Sequence, residues 1–221
     1  MKSSYVSRHY GTFLQSLVMV TEPGCCVECG ILEGYSTLIL GHALKKVGCG
    51  HLYAYDIFED YAYARADYDK ITRLLDKHGL SDVVTLRKKS LFDVVDDFGD
   101  NSIDFLHIDI SNDGGVIRDS IYIFDSKVKP GGLILFEGGS PLRDNVDWMS
   151  RYDKEPLFPE IMSNDKLRAG YTFLVLHPYP SMLICSKNLT VNDETIKEFG
   201  YDTHGTLNRI SDEDLFQDIL T

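Results

Sequence analysis

The sequence predicts a doubly wound α/β fold: a mostly parallel, seven-stranded sheet ending in an antiparallel hairpin. Two observations carry this expectation. Short apolar runs alternate with helix-spaced segments between residues 25 and 136, the pattern of repeated βαβ units. Two later runs, 171–177 and 182–186, are joined only by Pro178-Tyr179-Pro180-Ser181, a connection too short for a crossover helix. That pair must be antiparallel.

Each element follows from its own signals. Phe13, Leu14, Leu17 and Val18 recur at helical spacing, so residues 8–20 form an amphipathic helix closed by Pro23-Gly24, and 1–24 is an N-terminal helical segment. Cys25–Cys29 is an apolar run ending at Gly30, a buried strand. A helix over 36–47 precedes the second strand at 52–57, and a helix over 61–78 stops at Gly79. Residues 83–86 form the third strand, 92–98 a short helix, 103–110 the fourth strand and 116–128 a helix. Lys129-Pro130-Gly131-Gly132 reads as a turn, with the fifth strand at 133–136. Residues 138–170 are an insertion before the hairpin, and 191–221 an acidic appendage ending in a helix over 212–220.

Composition narrows the function. The chain of 221 residues is about 43% hydrophobic, enough for one domain with a core, and carries a net charge of -12. Duplex nucleic acid and a polybasic membrane anchor both ask for a cationic surface, so both are disfavoured. No apolar run reaches the roughly 20 residues of a membrane span and no signal core follows Met1, so a soluble cytoplasmic protein is expected. Eight acidic and two basic residues lie beyond 190, which puts half of the charge excess in the appendage. Five cysteines include Cys26-Val27-Glu28-Cys29, a spacing that zinc sites use; in a strand, however, successive side chains alternate faces, and buried free thiols are the better expectation.

The chemistry gathers at strand tips. Gly30-Ile31-Leu32-Glu33-Gly34 fills the first strand-to-helix turn, where doubly wound sheets bind ligands, but its spacing is not that of the pyrophosphate fingerprint. Asp56 ends the second strand, where a carboxylate can accept from a ribose diol. Ser90 and Asp93 follow the third, next to Arg87-Lys88-Lys89; Asp109 ends the fourth and Glu137 the fifth. Like charges at neighbouring tips repel, so they are better explained as ligand, metal or proton-handling groups than as a stabilising device.

With these residues in place, the chain resembles the class I S-adenosylmethionine-dependent methyltransferases over residues 25–187. Val27-Glu28-x-Gly30-x-x-x-Gly34-Tyr35-Ser36-Thr37 is similar to the first motif of that family and Tyr55-Asp56 to its second. Ile103-Asp104-Phe105-Leu106-His107-Ile108-Asp109, Val116-x-Arg118-Asp119 and Lys129-Pro130-Gly131-Gly132 are similar to later ones. The wording resembles small-molecule O-methyltransferases related to the catechol and macrolide-sugar enzymes. The resemblance implies a Rossmann-like sheet and a domain at 25–190 that binds S-adenosylmethionine, with 138–170 on the acceptor side. It implies cofactor contacts from Glu28, Gly30, Gly34, Tyr35, Ser36, Asp56, Ser90 and Asp109, with Glu28 supporting the turn or taking the ammonium.

Methyl transfer to a hydroxyl also needs the acceptor proton removed. Asp109 and Glu137 are the expected catalytic pair; His107, inside an apolar strand, is better read as a packed residue. Metal-dependent relatives carry an Asp-Asn pair after the fifth strand, where this chain has Glu137-Gly138. Asp109, Asp113 and Glu137 could still hold Mg²⁺ or Ca²⁺ through oxygen. The acceptor pocket is expected from Pro141, Arg143, Trp148, Met149, Tyr152 and Phe158, with His9 and Tyr10. The leading expectation is a small organic acceptor methylated on oxygen. Nitrogen or macromolecular acceptors, and a non-catalytic nucleotide-binding domain, stand as alternatives, and a homo-oligomer is open.

Overall fold

The structure, a computed structural model, describes residues 10–60, 67–176 and 182–188. Expectations about His9, residues 61–66, the connector 178–181, the side chain of Trp148 and the acidic appendage 191–221 lie outside the described residues.

Helix α1 (Tyr10–Thr21) precedes the strand β1 (Cys25–Cys29), followed by α2 (Tyr35–Val47), β2 (His51–Asp56), α3 (Tyr68–His78), β3 (Val84–Lys88), the single turn α4 (Leu91–Val94), β4 (Ile103–Ile108), α5 (Gly114–Phe124) and β5 (Val128–Glu137). The insertion folds as four short helices, α6 (Pro141–Asp144), α7 (Asp147–Arg151), α8 (Leu157–Ser163) and α9 (Asp165–Gly170), before β6 (Tyr171–Leu176) and β7 (Met182–Lys187). The seven strands lie in the order β3-β2-β1-β4-β5-β7-β6, parallel through β5, with β7 antiparallel to both β5 and β6. The order reverses between β1 and β4, so their carboxyl ends open a crevice at the switch point.

Two apolar clusters cover the two faces. One gathers Leu14, Leu40, Leu44 and Ile71 from α1–α3; the other gathers Ile117, Phe124, Leu157 and Ile161 from α5 and the insertion. Strand alternation divides the cysteines between them, Cys26 in the first and Cys29 in the second, so the two thiols of the Cys-x-x-Cys segment face opposite ways. Among the described residues no helix is long and apolar enough to cross a membrane.

The largest departures from the expected boundaries lie in α3, α5 and β5. Asp67 has extended backbone and its carboxylate accepts the Lys70 N–H at 2.6 Å, so α3 begins at Tyr68. Asp113 does the same through the Gly115 N–H, so α5 starts at Gly114 and ends at Phe124. Lys129-Pro130-Gly131-Gly132 is not a turn between elements. It is an irregularity inside β5, where Val128 pairs with Ile103 and Leu133 already pairs with Phe105.

Candidate functional site

The crevice between β1 and β4 is a cleft of about 270 Å³. Cys29, Gly30, Ile31 and Leu32 line it from the glycine turn, Asp56, Ile57 and Phe58 from the end of β2, Ser90 and Phe92 from the start of α4, and Asp109 and Ile110 from the end of β4. Four expected site residues, Gly30, Asp56, Ser90 and Asp109, are thus brought together.

Backbone crowding shapes the turn. Gly30 passes between the ends of β2 and β4, donating its N–H to the Tyr55 carbonyl at 2.9 Å, while Asp109 donates to the Cys29 carbonyl at 2.8 Å. Asp56 then holds the loop. Its Oδ2 accepts from Ile31 N at 2.7 Å and Leu32 N at 3.3 Å, and its Oδ1 from Phe58 N at 2.7 Å. Three of about four lone-pair directions are spent on the protein, leaving roughly one toward the cleft. Leu32 and Phe58, at φ of 50° and 47°, bear the backbone strain that lets these N–H groups converge. Gly34 caps α2 in the left-handed region, without a side-chain hydrogen bond to the helix end.

Glu28 corrects an expectation. It does not line the cleft: it is fully buried behind the turn, one oxygen accepting from Thr37 Oγ1 at 2.6 Å and the other 3.3 Å from His107 Nδ1. His107, its register partner on β4, meets the Tyr10 hydroxyl at 2.7 Å through Nε2. The chain Tyr10–His107–Glu28–Thr37 therefore ties α1 and β4 to the first turn of α2 from behind. Glu28 supports the turn and is not open to an ammonium group, and Tyr10 is core, not acceptor pocket. Tyr35 and Ser36 lie in the same first turn of α2, but neither lines the cleft.

The carboxyl groups of Asp109 and Glu137 continue the β4–β5 register from Ile108 and Phe136, so they sit at neighbouring strand tips. Burial pushes both up to about 7, working in Asp109 against His107 and Arg143, with Glu28 adding to the rise, and in Glu137 against Arg143 alone. Both groups therefore exchange protons near neutrality, as a general base should.

Asp113 does not join them. Its oxygens accept from Gly115 N at 2.9 Å and Glu155 N at 3.4 Å, and Lys154 lies 3.8 Å away. Among the described residues no group of three or more His, Cys, Asp or Glu side chains is arranged to hold a metal ion. The cation site expected on Asp109, Asp113 and Glu137 is thus not assembled, because capping α5 consumes Asp113.

In the insertion, Arg143 is half-buried and Met149 is packed in the core, whereas Tyr152 points to solvent. Sequence reasoning missed the rim of the cleft: Leu32, Ile57, Phe92 and Ile110 are 54%, 36%, 53% and 42% exposed. Each stands one or two residues after Gly30, Asp56, Ser90 or Asp109. Large apolar residues where a solvated loop would be polar were the available signal.

Comparison with known proteins gives concordant findings. The sequence model of a family described as a methyltransferase domain matches residues 27–137. An O-methyltransferase from Bacillus cereus, solved with S-adenosylhomocysteine, is similar with a TM-score of 0.62 and 21% identity, covering 83% of this chain and 82% of that one. The O-methyltransferase TomG from Streptomyces achromogenes, solved with S-adenosylmethionine, gives 0.59 and 15% over 80% and 79%. A methyltransferase from Geobacter sulfurreducens gives 0.60 and 16% over 83% and 80%. At these identities the structural likeness concerns the fold.

Proposed function

Since the chain belongs to the methyltransferase-domain family, we propose that it moves a methyl group from S-adenosylmethionine to a hydroxyl oxygen of a small organic acceptor. The observation that carries this reading is the cleft itself. It joins a glycine turn, a carboxylate with a remaining acceptor direction and an apolar rim at the switch point of the sheet. Those parts suit the donor: Asp56 for a ribose hydroxyl, and Ile57, Phe92 and Ile110 for the adenine faces. Residues 25–190 form the donor-binding domain on this reading, with 138–170 covering the acceptor.

When bound, the donor supplies an electrophilic methyl group on sulfur. The remaining work belongs to this chain's residues. The strand tips orient the reactants and exclude water, and a carboxyl group near pKa 7, Glu137 or Asp109, accepts the acceptor proton. The basic run beside the cleft gives little support to a macromolecular acceptor. Arg87 and Lys89 pair with Asp97, and Lys88 pairs with Glu59 and Asp60.

Thermal denaturation with S-adenosylmethionine, S-adenosylhomocysteine and NADH tests the reading. Both sulfur ligands should raise the melting temperature and NADH should not; the reverse pattern defeats the proposal. Asp56→Ala should weaken S-adenosylhomocysteine binding about 10- to 100-fold in calorimetry, because it removes a charged acceptor and releases the three loop N–H groups.

A further inference from the structure

Two exposed histidines meet across α2 and α3. His42 lies within α2, and His78 is the last residue of α3. Nε2 of His42 stands 3.3 Å from Nδ1 of His78, with the rings edge to face at 76° and their centroids 5.4 Å apart. Neither residue lines the cleft. A neutral imidazole carries one donor and one acceptor nitrogen, so each ring brings one lone pair to the contact.

The surrounding packing fixes both backbones without help from the rings. Gly41, next to His42, lets α2 approach the segment after α3: an added Cβ would lie 2.9 Å from Val84 and 3.2 Å from Leu80. Leu80 is fully buried, and its N–H donates to the Leu75 carbonyl at 3.0 Å. Gly79 ends α3 in the left-handed region with its N–H on the Asp76 and Leu75 carbonyls, so His78 leaves from a closed helix end. Lys45, one turn beyond His42, donates to the Gly79 carbonyl and pairs with Asp82 at 3.3 Å, which offsets its charge beside the histidines.

We propose that His42 and His78 form a surface zinc site that clasps α2 to α3. Two nitrogens bound at about 2.0–2.1 Å to a tetrahedral ion stand about 3.4 Å apart, whereas a right-angled geometry brings them to about 2.9 Å. The observed 3.3 Å fits the tetrahedral bite. The ion replaces the hydrogen shared between the rings: each neutral imidazole gives one nitrogen lone pair and keeps its hydrogen on the other nitrogen. Water fills the remaining positions, because among the described residues no third His, Cys, Asp or Glu joins the pair. Two protein ligands make this a site for exchangeable zinc, unlike the closed four-ligand centres that hold structural zinc. The same two helices also meet at the glycine turn, where a Cβ added to Gly34 would lie 3.2 Å from Ile71 and from Leu74. The ion therefore stabilises the fold without touching the methyl donor, and the site is independent of the methyl-transfer reading.

Calorimetry of Zn²⁺ binding to the full chain tests the site, with thermal melts on the same samples. Wild type should take up one ion through the pair. His42→Ala and His78→Ala should each weaken that binding about 10-fold or more, and the double variant no further than either single one, because one imidazole alone is not a chelate. Zn²⁺ should raise the melting temperature of wild type by a few degrees and leave that of the double variant unmoved. Both rings are exposed, so the variants should melt cooperatively; should one fail to, Gln replaces Ala at that position. Wild type that takes up no Zn²⁺ at millimolar concentration would overturn the proposal. So would binding that survives both single variants, as it would with the ion on the exposed Cys49 thiol.

Discussion

Gly30→Ala is expected to be the most damaging single substitution in the glycine turn, lowering stability by about 3–5 kcal/mol and the melting temperature by roughly 10 °C. Two costs add. The backbone at Gly30 has φ of +97°, which alone strains an L-residue by about 1–3 kcal/mol. An added Cβ would also stand 2.3 Å from the Asp109 carbonyl oxygen and 2.6 Å from its carbon. Both are backbone atoms of the neighbouring strand, so no side chain can swing aside. Relief requires the tips of β1 and β4 to part, which breaks the Asp109 N–H bond to Cys29 and displaces Asp109 from the wall of the cleft. Stabilisation by S-adenosylhomocysteine should vanish with it. Gly48→Ala is the control, since Gly48 shares a positive φ of 83° but has nothing within 4 Å of an added Cβ. Equal losses at the two positions, measured by denaturant melts, would show that backbone conformation and not the close approach sets the cost.

Glu137→Gln should make the protein more stable and less active together. Burial holds the Glu137 carboxyl at about 7, above its ordinary 4.5, so between those values the folded chain binds a proton that the unfolded chain has released. Stability contributed by the protonated form is therefore complete below about pH 4.5, falls as pH rises, and is fully lost above about pH 7. Glutamine cannot ionise and escapes that loss. The melting-temperature difference between variant and wild type should open across that window and stay flat above it, reaching several degrees. A difference independent of pH would refute the assignment. Methyl transfer from radiolabelled S-adenosylmethionine to hydroxyl acceptors should fall about 100-fold or more, because the amide accepts no proton.

Much of this architecture was legible because it depends on local periodicity. The alternation over 25–136 and the short 178–181 connector between two apolar runs were enough to specify parallel strands finished by a hairpin. The misread turn at Lys129–Gly132 shows where local signals fail: the same residues serve as a strand irregularity once β4 supplies a partner, and pairing is a long-range fact. The site divides along the same line. Gly30, Asp56, Ser90 and Asp109 were readable because a strand tip fixes where its last residue goes. Glu28 was legible as a residue of the turn, but which way it faced depended on His107 and Tyr10, 79 and 97 residues from their partners. Asp113 looked like a ligand by composition and proved to be a helix cap by geometry.

The distribution of sulfur across the two faces of the sheet has a practical consequence. Cys26, Cys29 and Cys185 are buried and Cys25 is partly so, and burial raises all four thiols, Cys25 to about 11. Cys49 alone is exposed, in the turn after α2, at the end of that helix remote from the cleft. The native protein should thus take up one equivalent of a thiol reagent quickly and the rest only on unfolding, as an absorbance titration would count. A fluorophore placed there, without any engineered substitution, would report on the helix whose opposite end follows the glycine turn.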